Sequence, residues 1–285
     1  MKKFLVNILV LGFCLPMAAN CQKLQSETAD GYKLVWADEF NNEGAPDTTN
    51  WRYEKGFVRN HELQWYQPQN AVCHNGILTI EVKKEHIPNP TYTAGSTNWK
   101  NNREFIEYSS TSMNTRGLKT FQYGRFVMRG RIDVDGGLWP AFWTLGVSHP
   151  WPFNGEIDIM EYYRNKLLAN IACGGTAPSK AKWYSNTKPV DSLGGKAWSE
   201  KFHTWRMDWD ENAISLYCDD QLLNKVTLDK LVNQDGSNYN PFKQPEYILL
   251  NLALGGDNGG DASATTFPRK FEVDYVRVYQ KNAAK

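Results

Sequence analysis

From about residue 33 onward the chain consists of short segments of alternating apolar and polar positions, separated by clusters of Gly, Pro and Asn. "YGRFVMRGRI" shows the pattern best. Phe126, Met128 and Gly130 fall on one face, and Arg125, Val127, Arg129 and Arg131 on the other. A period of two sends successive side chains to opposite sides of a strand, so one face of each segment is expected in a core. "GILTIEVKKE", "GEIDIMEYY", "FHTWRMDWDENAISLYCDDQLL", "EYILLNLALGG" and "FEVDYVRVYQ" read as strands in the same way. "DENA", between "WRMDW" and "ISLYC", predicts a hairpin turn, and "VTLDKLVN" is the one short stretch of helical character. Residues 88–102, "PNPTYTAGSTNWKNN", read as a long surface loop within the domain. No internal repeat, low-complexity tract or interdomain linker interrupts the pattern. It predicts an all-β domain, a sandwich or barrel of antiparallel sheets.

Composition adds a ligand class and removes two others. The formal net charge is +1, from 32 basic and 31 acidic residues. Such a balance gives no electrostatic footprint for nucleic acid or an anionic membrane. Aromatics are abundant, with 11 Trp, 14 Tyr and 13 Phe. Most suit strand cores, and the surplus suits flat, apolar-faced ligands such as sugar rings. Cys73, Cys173 and Cys218 form no zinc-like spacing and are odd in number, so any bridge among them is left open.

The N-terminus is expected to direct export. Lys2 and Lys3 precede the apolar "FLVNILVLGFCLPMAA", too short for a membrane span, and polar "CQKLQSETADG" follows. "MAANC" resembles a bacterial lipoprotein processing site, although Asn20 stands where a small residue is usual. The expectation is a signal peptide over 1–21, a short linker over 22–30, and a single domain over 31–281. Cys21 is then either a lipid anchor to the outer membrane or the end of a simple secretion signal, and the protein lies at the cell surface, in the periplasm or outside the cell.

The chemistry concentrates in "WPFNGEIDIMEYY", Trp151 to Tyr163, where Glu156, Asp158 and Glu161 crowd an apolar run. On a helix, at about 100° per residue, Asp158 lies about 200° and Glu161 about 140° from Glu156, so the three scatter. On a regular strand Glu156 and Asp158 share a face and Glu161 points away. One extra residue around Ile159 and Met160, a β-bulge, returns Glu161 to that face. The bland alternative is a strand with a solvated acidic face, but aligned carboxylates repel unless something compensates. Retaining glycoside hydrolysis needs such an arrangement, two carboxyl groups about 5–5.5 Å apart. Asp158 can share a proton with Glu156, and its charge can help hold Glu161 protonated.

"GEIDIMEYY" resembles the catalytic signature of glycoside hydrolase family 16 in its bulged form, E-x-D-x-x-E, as in laminarinases and in agarase, porphyranase and endo-β-galactosidase relatives. "LVWADEFN", "NHELQWYQPQNAVCHNGILTIEV", "YGRFVMRGRI" with "GGLWPAFWTLG", "EYILLNLALGG" and "VDYVRVYQ" resemble the family's other segments in the family's order. The resemblance implies a β-jelly-roll sandwich with an open cleft on its concave face and retaining endo-hydrolysis of a β-linked polysaccharide or glycan without a catalytic cofactor. It implies Glu156 as nucleophile, Glu161 as acid/base and Asp158 as the assisting carboxylate. Trp139 and Trp143 would stack on sugars, and Asn60 and Glu62, with Arg59, would contact the non-reducing side. Trp65 and Trp151 are weaker candidates for the cleft wall, and Trp183 and Tyr184, in the segment after the signature, are candidates for a different aromatic contact. Many relatives hold a structural calcium at the position of Asp274. A monomer is the default for such enzymes.

The departure from the family bears on substrate. Laminarinases carry a His-Gly-Thr-x-His flavour after the signature, in the segment that lines the leaving-group side. Here "YYRNKLLANIACGGTAPSKAKWYS" has no histidine. A β-1,3-glucan is therefore not the default; a mixed-linkage glucan or a β-galactoside glycan such as poly-N-acetyllactosamine fits as well. No concentrated basic loop accompanies the signature, which gives no reason to prefer a sulfated polymer. The rival class is a non-catalytic carbohydrate-binding jelly-roll, since fold alone does not fix function. A binder, however, has no need of three aligned carboxylates. No G-x-S-x-G elbow or Cys/His pair supports other hydrolases.

Overall fold

The computed structural model describes residues 28, 30–177 and 180–281. The export segment and Cys21 lie outside the described residues. Two sheets pack face to face. The first runs in the order Ala181–Pro189, Lys166–Gly174, Glu156–Tyr163, Leu138–Gly146, Glu246–Leu254, Ser112–Asn114, Arg52–Tyr53, antiparallel throughout. The second, of ten strands, is centred on Gly124–Ile132 and the long closing strand Arg269–Lys281. Tyr32–Asp38 pairs with that closing strand, so the two ends of the domain meet. The result is the all-β sandwich expected from the alternation and the β-jelly-roll implied by the resemblance, antiparallel apart from the parallel pair Gln64–Tyr66 and Phe105–Ser110.

The core lies between the sheets, and period two explains its membership. Phe126 and Met128 point inward from the second sheet and meet Phe142, Ile157, Ile159 and Met160 from the first. Each such fully buried side chain contributes about 1.5–3 kcal/mol. In "DENA", Asp210 Oδ1 accepts the backbone N–H groups of Asn212 and Ala213 at 2.8 and 2.9 Å, closing the hairpin. "VTLDKLVN" keeps only one 3-10 turn, Leu228–Lys230. Its Val226 and Thr227 pair with Ile214 and Ala213, so β-branched residues next to a ready sheet edge follow the sheet. Cys73, Cys173 and Cys218 are buried free thiols.

Asp274, expected as a calcium ligand, has a different partner. It is the extra residue of a bulge between Val273 and Tyr275, and Arg129 Nη1 donates to it at 2.5 Å. A lone carboxylate already neutralised by a guanidinium does not fit a divalent cation that needs several oxygens.

Candidate active site

The bulge is present. Asp158 pairs with Trp143 on one side and Asn170 on the other, Glu161 pairs with Ala141 and Leu168, and the register shifts between them on both sides. Ile157, Ile159 and Met160 are all completely buried in the core. Their apolar packing pins the strand, and the bulge sends Asp158 and Glu161 to the opposite face beside Glu156. All three line one cleft of about 700 Å³ on the seven-stranded sheet.

The floor follows the same parity. Trp139 and Trp143, four residues apart, both line the cleft, whereas Phe142 between them lies in the core. Trp139 Nε1 donates to Glu161 Oε1 at 2.6 Å, and Asn170 Nδ2 donates to Glu161 Oε2 at 3.1 Å. Trp143 Nε1 donates to Asn251 Oδ1 at 2.7 Å. Trp151 and Trp183 are exposed at the cleft, and the indole N–H of Trp151 donates to Glu156. Asn60 and His61 take left-handed backbone angles, a tight turn that brings Glu62 inward. Glu62 accepts from Gln64 Nε2 at 2.7 Å and Asn60 Nδ2 at 3.3 Å. Arg59 forms an ion pair with Glu54 and lies over the Trp143 ring, 5.3 Å from its centroid.

Trp65 is not in the cleft. On the strand Gln64–Tyr66, alternation gives the inner face to Gln64 and Tyr66 and turns Trp65 outward against Phe57, centroid to centroid 5.4 Å. Tyr247, Asn251 and Asn258, which the sequence reading passed over, do line it. Asn251 had a signal: it is the one amide in the apolar strand "EYILLNLAL", on the same parity as Tyr247.

Burial raises all three carboxyl groups, against different partners at each. Burial comes first for Asp158, followed by the charges of Glu156 and Glu161, and holds it well above the usual carboxylate range. Its O–H donates to Glu156. Burial also raises Glu156, opposed by the Trp151 N–H and that Asp158 O–H, which favour the anion. Burial pushes Glu161 up to about 8, against the Trp139 and Asn170 donations, with the charge of Glu156 adding to the rise. The charge acting on Glu161 therefore belongs to Glu156. Asp158, expected to supply it, is the neutral proton donor between them. Two carboxyl groups facing a common cleft, Glu161 held up to about 8 and Glu156 given two donors that favour its anion, can attack an acetal carbon and protonate its leaving oxygen.

A sandwich with such a cleft defines a glycoside hydrolase. The profile of glycosyl hydrolases family 16 matches residues 59–277, and the chain belongs to that family. It is 33% identical to a β-glucanase of Rhodothermus marinus over 94% of this chain and 93% of that protein. Among solved structures it superposes with a TM-score of 0.81, at 32% identity and covering 90% and 94% of the two chains, on one from work on endo-acting O-glycanases with which human gut microbiota initiate mucin breakdown. The catalytic domain of an endo-1,3-β-glucanase (laminarinase) from Thermotoga petrophila gives a TM-score of 0.73 at 30% identity, covering 88% and 98%.

Proposed function

We propose that this glycoside hydrolase is a retaining endo-β-glycosidase of β-galactoside glycans of the O-glycan or poly-N-acetyllactosamine type, with Glu156 as nucleophile and Glu161 as acid/base. The bulge that puts Glu156, Asp158 and Glu161 on one face of the cleft carries the catalytic reading. Glu161, protonated to about pH 8, gives its proton to the departing glycosidic oxygen while the Glu156 carboxylate bonds to the anomeric carbon. Glu161, now ionised, takes a proton from water, and that water releases the sugar from Glu156 with net retention. Asp158 positions Glu156 through its O–H and relieves charge between the two. Trp139 and Trp143 give the sugar rings a flat floor, Asn60 and Glu62 offer polar contacts on one arm, and Trp183 offers an aromatic face on the other.

The higher TM-score with the O-glycanase work than with the laminarinase, 0.81 against 0.73, supports the O-glycan member of that substrate class. A β-1,3(4)-glucan is the second reading, favoured by the identity with the Rhodothermus marinus β-glucanase over nearly the full length of both. Export through residues 1–21, as a monomer that is either lipidated at Cys21 or secreted free, completes the proposal.

The test is Glu156→Gln, which should remove turnover while leaving glycan binding intact; unchanged turnover sinks the catalytic assignment. Wild-type product should appear first as the β-anomer by proton NMR. A panel of poly-N-acetyllactosamine, mucin O-glycans, laminarin and mixed-linkage glucan decides the substrate, and short oligosaccharides from the glucans alone overturn the galactoside reading.

A further inference from the structure

Many arginines of this molecule sit against carboxylates: Arg59 on Glu54, Arg125 on Asp208, Arg131 on Glu272 and Arg277 on Glu39. Arg52 and Arg116 do not. Both are exposed, and among the described residues neither guanidinium has an ion-pair or hydrogen-bond partner. Yet the fold brings their backbones together. Arg52 pairs with Asn114 across the two outermost strands of the cleft sheet. Its guanidinium rests against Gly117, where an added Cβ would meet Arg52 Nη1 at 3.5 Å. Arg116, next in the chain, lines the cleft and lies over the Tyr247 ring, 5.6 Å from the centroid. Two guanidinium groups without partners on one rim of the cleft are suited to a shared anion. Glu54, the nearest acid along the Arg52 strand, is already committed to Arg59 and to the Ser112 hydroxyl.

The register says where this pair meets a glycan. Arg52, Asn114, Leu249, Trp143 and Asp158 form one row across the sheet. Directly paired residues share a face, so the row runs along the cleft floor from Asp158 to Asn114 and ends at Arg52, on the same face just beyond the lining. Four strand spacings of about 4.8 Å put Arg52 about 19 Å from Asp158. At physiological salt that is well beyond the screening length of about 8 Å, so the reacting carboxylates do not repel an anion held there. Trp183 lies on the other arm, two strands beyond Glu156 through Ala172. A pyranose advances by roughly one strand spacing.

We propose that Arg52 and Arg116 form an anion-reading subsite, so that the preferred glycan carries a sulfate ester or a carboxylate about three to four sugars from the scissile bond, on the arm opposite Trp183. Guanidinium forks suit both groups through paired N–H···O bonds. The proposal rests on the endo-glycosidase reading and adds a substituent to its substrate. It also replaces the expectation drawn from the lack of a basic loop: the two arginines are far apart in the chain and come to one rim of the cleft only through strand pairing.

The experiment compares the enzyme with its Arg52→Met/Arg116→Met variant, which keeps the apolar stems. The probes are keratan sulfate, its chemically desulfated form, and a sialylated poly-N-acetyllactosamine. The ratio of kcat/KM for the charged over the desulfated chain should fall about tenfold in the variant, and the salt dependence of that ratio should flatten. Which charged chain shows the larger fall identifies the sulfate or the carboxylate as the group read. An equal ratio in enzyme and variant overturns the subsite. Affinity electrophoresis of Glu156→Gln against the same polymers keeps the two readings separate. Charge-dependent retardation that is lost in the Arg52→Met/Arg116→Met background, without turnover of any galactoside chain, keeps the subsite and refutes the galactoside reading. Equal retardation by charged and desulfated chains refutes the subsite whatever the turnover.

Discussion

Glu161→Gln should make the protein more stable at alkaline pH while abolishing its catalysis. The reason is the proton that Glu161 holds in the fold. Its carboxyl titrates near 8, against 4.5 for a free glutamate, chiefly because burial disfavours the anion. A carboxyl whose folded pKa lies above its unfolded one leaves stability at its full value below about 4.5. Stability then falls as pH rises, because the unfolded chain ionises first, and the fall levels off above about 8. At 1.36 kcal/mol per pH unit, the penalty is under about 1 kcal/mol at pH 5 and about 4 kcal/mol at pH 8. Glutamine carries no such penalty. Its Oε1 still accepts from Trp139, and its amide nitrogen replaces the oxygen that accepts from Asn170 Nδ2, so the Asn170 amide turns over and offers Oδ1, which has no partner among the described residues. Loss of the Glu161 charge also eases Asp158, in the same direction.

Urea denaturation of both proteins at pH 5 and pH 8 reads this directly. The variant's advantage should grow by about 3 kcal/mol between the two pH values, a shift of about 1 M in midpoint at a slope near 3 kcal/mol/M. The slope itself should be unchanged, since the same surface is exposed. An advantage that is equal at both pH values refutes the idea that Glu161 is held protonated in the fold.

Trp139→Phe removes an N–H that favours the Glu161 anion, so the alkaline limb of the kcat/KM profile should move up from about 8 by about one pH unit, with the acidic limb in place. Asp274→Asn should cost under about 1 kcal/mol, since it breaks a partly exposed pair with Arg129, and EDTA should leave the Tm of the wild-type protein unchanged. Deleting Ile159 turns the two-against-one bulge into a regular pairing, with the downstream register kept and Glu161 still two positions from Asp158. Such a variant should lose about 2–5 kcal/mol of stability for the missing core side chain, yet retain turnover within about a hundredfold, whereas Glu161→Gln retains none.

What could be read from the sequence was whatever depends on parity within one strand. The spacing of Glu156, Asp158 and Glu161 fits no regular element, so the bulge had to be inferred, and the register shift lies there. Trp139 and Trp143 share a face by the same count. Trp65 shows the limit of the rule: on a three-residue strand parity separates the residues into two sets but does not say which set faces in, and Gln64 and Tyr66 take the inner side. What could not be read depends on pairing between distant segments. Arg129 reaches Asp274 because Gly124–Ile132 lies beside the closing strand, and Arg52 reaches Gly117 because the edge strand Arg52–Tyr53 pairs with Ser112–Asn114. The same holds for charge. Repulsion among three carboxylates is visible in one line of sequence, but which of them keeps a proton depends on the indoles of Trp139 and Trp151 and the amide of Asn170, brought from neighbouring strands and a loop. Burial raises all three, most strongly where the charges of both neighbours add to it at Asp158, which stands beside Glu156 as the proton-holding partner. The strand supplies three equivalent acids; the sheet around it makes them unequal, and that inequality allows one cleft to attack and to protonate at the same pH.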